Sequence, residues 1–229
     1  MNYVIWKDVN SRNIKGLIIS ELPPISKPKM RVQETTIDGV DGSIIEELGY
    51  ESYDKKLIIG LSKDFDIDEV IKYFTGEGNV VFSNESDKYY KAKIIEQIDY
   101  ERLLRFRTAS ITFRVQPYKY KFQETPQIIT ESGATVINQG LEVSKPKMII
   151  SGTGTIKLSL NDLSVFSYTF PEDENIVVID SELQDAYLGS VLKNRNMTGD
   201  FPILSVGENT ITWDGTITSI EVNANSRWL

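Results

Sequence analysis

The sequence predicts a mainly β protein in two parts: an N-terminal β domain with one helix and an extended arm, followed by a C-terminal β-sandwich. Three observations predict it. Only one stretch spaces its apolar residues at helical period, short alternating runs fill most of the rest, and the charge composition changes near Thr125. Up to Thr125 there are 19 basic and 20 acidic residues; beyond it there are 6 and 13.

The first unusual stretch is 21–49, ELPPISKPKMRVQETTIDGVDGSIIEELG. Pro23, Pro24 and Pro28 hold the backbone extended and withhold N–H donors, so this stretch makes a poor helix and a poor central strand. It is expected to be an extended arm lying on another subunit, because loops beyond about 15 residues are usually functional or disordered. The alternative is a long surface loop with a hairpin at 38–42, where Asp38-Gly39 and Asp41-Gly42 are turn pairs.

The helix spans 66–74, with Ile67, Val70, Ile71 and Phe74 forming one stripe. Asp66 can cap it, Asp68 and Glu69 suit the positive end of the dipole, and Gly76 suits a left-handed C-terminal position. Strands are expected at 79–83, 89–98 and 102–115, with Asp99-Tyr100 as a short turn. Ile111, Phe113 and Val115 share one face while Leu104 and Phe106 have the opposite parity. That phase change predicts a bulge or a sheet-switching strand near Thr108.

A proline at each end of 117–126 places an inter-domain crossing near 123–127, giving domains 1–125 and 126–229. In the second half, strands are expected at 147–150, 155–160, 165–170, 176–179, 209–213 and 216–222. Turns separate them at Gly152-Thr153-Gly154 and Asp214-Gly215, the latter being the strongest hairpin signal in the chain.

Composition excludes much chemistry. The 229 residues include no Cys and no His, which removes Ser-His-Asp and Cys-His nucleophiles, thiol redox centres and zinc sites of the imidazole–thiolate kind. The net charge of −8 would repel nucleic-acid phosphate. No apolar run is long enough to span a membrane, and the first ten residues do not resemble a signal peptide, so a product made and kept in a cytoplasm is expected.

Residual candidates are weak. Glu46-Glu47 and Glu172-Asp173-Glu174 could suggest paired-carboxylate glycoside hydrolysis, with Glu46 and Glu172 as the residues to test, but adjacent acids on a strand face apart and those in loops are solvated. Asp64, Asp66 and Asp68 open like a calcium loop, yet Glu69 and Thr75 stand where Gly and Glu are required. Trp213, Trp228, Tyr168 and Tyr187 could stack on a sugar; core packing is the preferred reading. No catalytic residue, cofactor or metal is assigned.

Read together, Gly16-Leu17-Ile18-Ile19, Lys27-Pro28, Arg31, Ile37-Asp38-Gly39-Val40-Asp41-Gly42 and 53–59 resemble the N-terminal half of the distal tail proteins of long, non-contractile-tailed phages. Asn138-Gln139-Gly140, Pro146, Ile150-Ser151-Gly152-Thr153-Gly154, Ile179-Asp180, Gly199-Asp200-Phe201-Pro202-Ile203-Leu204, Gly207-Glu208-Asn209-Thr210-Ile211 and Arg227-Trp228 are similar to that family's galectin-like C-terminal sandwich.

The resemblance implies a non-enzymatic virion structural protein, the baseplate hub of a phage or prophage tail tip, assembled in the host bacterial cytoplasm. Six N-terminal domains would close into a homo-hexameric ring around a channel for DNA, which passes without specific binding. The ring would join the tail tube protein to the tail-associated fibre or lysin, and the outward sandwiches would carry receptor-binding proteins where these exist. The 21–49 arm would be the family's belt, with Pro23, Pro24, Lys27, Pro28, Arg31, Asp38, Gly39, Asp41 and Gly42 as candidate intersubunit contacts. No large insertion interrupts the second half, which argues against direct receptor binding. The rival reading is a carbohydrate-binding sandwich using Trp213 or Trp228 on host surface glycans.

Overall fold

The computed structural model describes residues 2–39 and 41–229. The chain forms two compact units, the first ending at Phe122 and the second spanning Gln123–Trp228.

In chain order the first unit contains β1 (Val4–Trp6), β2 (Val9–Asn10), β3 (Leu17–Glu21), β4 (Met30–Thr36), β5 (Ser43–Tyr50), β6 (Tyr53–Leu61), α1 (Ile67–Tyr73), β7 (Glu77–Phe82), β8 (Lys88–Lys93), α2 (Tyr100–Phe106) and β9 (Thr108–Lys121). The main sheet runs β2-β1-β7-β8-β9-β6-β3. Strand β9 is its spine: β6 pairs along it from Tyr53↔Val115 to Gly60↔Thr108, and β8 pairs on its other edge from Lys88↔Lys121 to Lys93↔Arg114. Phe113, fully buried, is the aromatic centre, with Trp6, Phe82 and Phe74 edge-on at ring distances of 5.1, 5.8 and 6.3 Å. Edge-to-face geometry of this kind adds to plain area burial.

Helix α1 closes this core. The Asp66 side chain accepts from the backbone N–H of Asp68 and Glu69, and Gly76 adopts a φ of +88° just beyond the helix. The buried face is Val70, Tyr73 and Phe74, while Ile71, expected in the apolar stripe, is 37% exposed. Tyr73 takes its place because its hydroxyl reaches the Val4 carbonyl at 3.0 Å.

Residues 102–106, expected as strand, are helical. Asp99, expected in a turn, caps α2 by accepting from the Arg102 N–H at 2.8 Å, and Arg107 ends the helix in the left-handed region at φ 58°. The parity change near Thr108 is therefore neither a bulge nor a sheet switch; it marks the passage from helix to strand. The run Glu-Arg-Leu-Leu-Arg has no β-branched residue to oppose a helix.

The second unit contains β10 (Gln127–Ile129), β11 (Ala134–Asn138), β12 (Lys147–Leu160), β13 (Leu163–Thr169), β14 (Ile176–Asp180), β15 (Asp185–Leu188), β16 (Val191–Leu192), β17 (Met197–Gly199) and β18 (Gly207–Asn223). Its organising feature is the pair β12 and β18, which run through both layers. Their first-layer halves pair from Lys147↔Asn223 to Thr153↔Thr216, flanked by β14 and β10. Their second-layer halves pair from Lys157↔Asp214 to Leu160↔Ile211, flanked by β13 and β11.

Neither expected turn here is a turn. Gly152 to Gly154 stay inside β12 and Asp214-Gly215 stay inside β18, where the register shifts between Thr153 and Lys157. Gly154 and Gly215 have φ of +69° and +94°, so the two strands bend at one level and carry the ladder around a corner instead of reversing it. A Cβ on Gly215 would lie 2.5 Å from the Thr155 carbonyl oxygen. Side chains from both layers meet in one core: Met148, Ile150, Val177, Ile179, Ile220 and Val222 from one, Ile156, Leu158, Phe166, Tyr168 and Ile211 from the other.

Candidate self-association surface

Among the described residues, strands β4 and β5 pair only with each other, in register Val32↔Glu47, Gln33↔Glu46, Glu34↔Ile45, Thr35↔Ile44 and Thr36↔Ser43. Apart from the half-buried Ser43, every described residue from Arg31 to Gly49 is exposed. The arm expected from the prolines is thus a hairpin, and 30–36 and 43–50 do form strands; 22–29 carry no regular secondary structure. Because opposed residues share a face, one face carries Val32 and Ile45 and the other carries Ile44 and Leu48, at exposures between 45 and 60%. A two-stranded hairpin with apolar residues on both faces and both edges open is marginal in water and calls for a covering surface.

The root of this hairpin is held firmly. Lys55, only 2% exposed, donates from Nζ to the Pro24 carbonyl oxygen at 2.9 Å and lies 4.8 Å from the centre of the Tyr90 ring. Asn84 donates to the Pro23 carbonyl oxygen at 2.9 Å, and the Tyr53 hydroxyl donates to the Ser26 carbonyl at 3.3 Å. Beneath them Lys119 Nζ and Glu85 Oε1 pair at 2.6 Å, and the Tyr90 hydroxyl donates to Glu85 Oε2 at 2.6 Å.

Desolvation lowers Lys55 to about 8, with Glu85 opposing that shift and Lys119 adding to it. At Glu85 burial opposes ionisation, but the hydrogen bonds from Lys119 and Tyr90 and the two lysine charges together hold its carboxyl below the usual range. Burial first, then the Glu85 carboxylate, pushes Tyr90 well above the ordinary phenol range. This cluster is absent from the sequence reading. Its signal was a lysine, Lys55, at the inward parity of a strand whose buried residues at that parity are otherwise Leu57, Ile59 and Leu61.

The predicted contact residues divide between the two ends of the arm. Pro23 and Pro28 are buried at its root, Pro24 is exposed there with its carbonyl taken by Lys55, and Lys27 lies 5.7 Å from the Tyr50 ring centre. Arg31 donates to the Leu48 carbonyl oxygen at 2.9 Å, which ties the two strands together. Asp38, Gly39, Asp41 and Gly42 form the exposed tip, with φ of +81° at Gly39 and +92° at Gly42; Val40, quoted in the resemblance, lies outside the described residues. The exposed isoleucines Ile44 and Ile45 were missed as candidates. Adjacent apolar residues on a strand point to opposite faces, which was their legible signal.

Other candidates go elsewhere. Trp213 packs half-buried against the sandwich core, Trp228 is half-buried, and Tyr168 is fully buried edge-on to Phe170 at 4.9 Å. Glu46 and Glu47 are exposed on opposite faces of β5, while Glu174 pairs with Lys193. Asp64 pairs with Lys15 at 2.9 Å as Asp66 caps α1. Asn138, Gly140 and Asn209, all within the resemblance, hold loops: Asn209 accepts from Ser205 N at 2.9 Å and donates to Ser205 O at 2.9 Å, and a Cβ on Gly140 would lie 2.3 Å from Arg227 O.

Two units of this topology, joined in this order, recur in solved phage proteins. The chain superposes over 100% of its length on 100% of the solved Dit protein of phage SPP1, described as a paradigm of the hub adsorption apparatus in phages infecting Gram-positive bacteria, with a TM-score of 0.75 at 14% identity. It also matches a chain of the phage P2 baseplate in its activated conformation with Ca, covering 96% of this chain and 97% of that one, with a TM-score of 0.54 at 9% identity. No protein-family model and no curated protein matches the sequence.

Proposed function

We propose that this chain is a structural hub of a phage tail tip. Its N-terminal unit self-associates through the β4–β5 hairpin into a six-membered ring that continues the tail tube, meets the tail-associated fibre or lysin on its other face, and lets DNA pass. The sandwich projects outward and carries receptor-binding proteins where the virion has them. The protein acts by shape and contact, without making or breaking bonds.

The observation that carries this reading is the end-to-end correspondence with the SPP1 Dit fold, both units included. The hairpin supports it independently, being exposed on both faces and anchored at its root. A heterologous contact that closes yields a ring, and a net charge of −8 per copy suits a passage through which DNA must not stick.

Light scattering with negative-stain imaging of the purified protein tests it. Rings or closed oligomers are expected, and replacing residues 31–48 by a short Gly-Ser linker should abolish them while leaving the cooperative unfolding of both units in place. A wild-type protein that stays monomeric at every concentration, alone and with its tail tube partner, would overturn the ring.

A further inference from the structure

The hairpin carries a charge that its own surroundings do not answer. From Met30 to Tyr50 it holds Arg31 against Glu34, Asp38, Asp41, Glu46 and Glu47. On one face the register sets Glu34 beside Ile45 and Val32 beside Glu47, so two carboxylates alternate diagonally with two β-branched side chains. The Ser43 hydroxyl bonds to Glu34 and helps fix it.

The same unit offers a complementary surface. Helix α2 buries only Leu103, while Leu104 and Phe106 are 45% and 60% exposed. A helix this short does not persist by itself in water, and one buried residue gives it little support. The Arg105 guanidinium lies 5.2 Å from the Phe106 ring centre, and Arg102, Arg105 and Phe106 line one open cleft with Asp99 and Glu101. Asp99 is already engaged in capping the helix. Among the described residues, neither Arg102 nor Arg105 makes an ion pair.

We propose that the Val32–Glu34–Ile45–Glu47 face of one copy's hairpin docks on α2 of a neighbouring copy. Glu34 and Glu47 meet Arg102 and Arg105, and Val32 and Ile45 cover Phe106, which shares one face of the helix with both arginines. This rests on the self-association reading above and specifies the surface that receives the arm. Guanidinium–carboxylate pairs fix orientation as well as adding attraction, so the charges set the register and the aliphatic contacts exclude water.

The absence of cysteine makes the test clean. In an Ile45→Cys/Phe106→Cys variant, mild oxidation should give disulfide-linked multimers, while an Ile45→Cys/Leu163→Cys control, whose second site is exposed on the other unit, should not. Arg102→Glu with Arg105→Glu should weaken association roughly tenfold or more, and adding Glu34→Lys with Glu47→Lys should restore it. If light scattering shows oligomers but α2 neither cross-links above the control nor responds to charge reversal, the docking site is wrong and self-association stands. Monomers under all conditions, without cross-links, would remove both.

Discussion

Lys55 Nζ, enclosed within the N-terminal unit, donates to the Pro24 carbonyl oxygen at 2.9 Å and so ties the core sheet to the root of the exposed hairpin. With the bonds from Asn84 to Pro23 and from Tyr53 to Ser26, it joins the buried core of the unit to its most exposed strands. The root is thereby fixed while the strands beyond it stay exposed.

The first prediction concerns the alkaline side. Lys55 sits at about 8 in the folded chain against 10.5 when unfolded, because burial disfavours its charged form. Between those values the unfolded state binds more protons, so this residue makes stability rise with pH, by about 2 kcal/mol between pH 8 and 10. Chemical denaturation at several pH values should show that rise in the wild type and its loss in Lys55→Met.

Glu85 governs the acid side. Its folded pKa lies below its unfolded one, so its contribution is fully present above the unfolded value and disappears as pH falls through the folded value. Glu85→Gln removes that dependence and leaves Lys119 and Lys55 without their shared carboxylate, at a cost of about 3–5 kcal/mol at neutral pH. Trp6, 1% exposed in this unit, reports the transition by fluorescence once Trp213 and Trp228 are replaced by Phe.

Core packing gives a third expectation. Phe113→Ala removes the ring on which Trp6, Phe74 and Phe82 converge and should cost about 3–5 kcal/mol. Chemical denaturation followed by Trp6 emission, in the background where Trp213 and Trp228 are Phe, checks the loss.

Two glycines at the bend of the sandwich separate backbone strain from collision. Both have positive φ, but a Cβ on Gly154 meets nothing within 4 Å, whereas one on Gly215 meets the Thr155 carbonyl at 2.5 Å. Gly154→Ala should cost about 1–2 kcal/mol from conformation alone. Gly215→Ala should cost clearly more, and thermal unfolding of the two variants checks the order.

The sequence made some of this legible and concealed the rest for identifiable reasons. Helix α1 was readable because Asp66, Val70, Phe74 and Gly76 satisfy cap, stripe and stop together. The hairpin tip was readable in Asp38-Gly39 and Asp41-Gly42. Helix α2 was not, since it exposes most of its apolar side chains and so lacks an amphipathic signature. Asp214-Gly215 misled because local turn chemistry cannot distinguish a reversal from a bend; the choice is made by Gly154, more than fifty positions away. The Lys55–Glu85–Lys119 cluster joins three separate elements, and no local pattern foretells such a meeting. The candidate interface was legible at its ends, Pro24 and Asp38 among them, while Ile44 and Ile45 became recognisable only once their exposure was seen.

The shared strands of the sandwich have a mechanical meaning. Because β12 and β18 each run unbroken from one layer into the other, sliding the layers apart must stretch covalent backbone or shear two ladders at once. A pull on the second unit is therefore carried along the main chain as well as by the packed side chains between its layers.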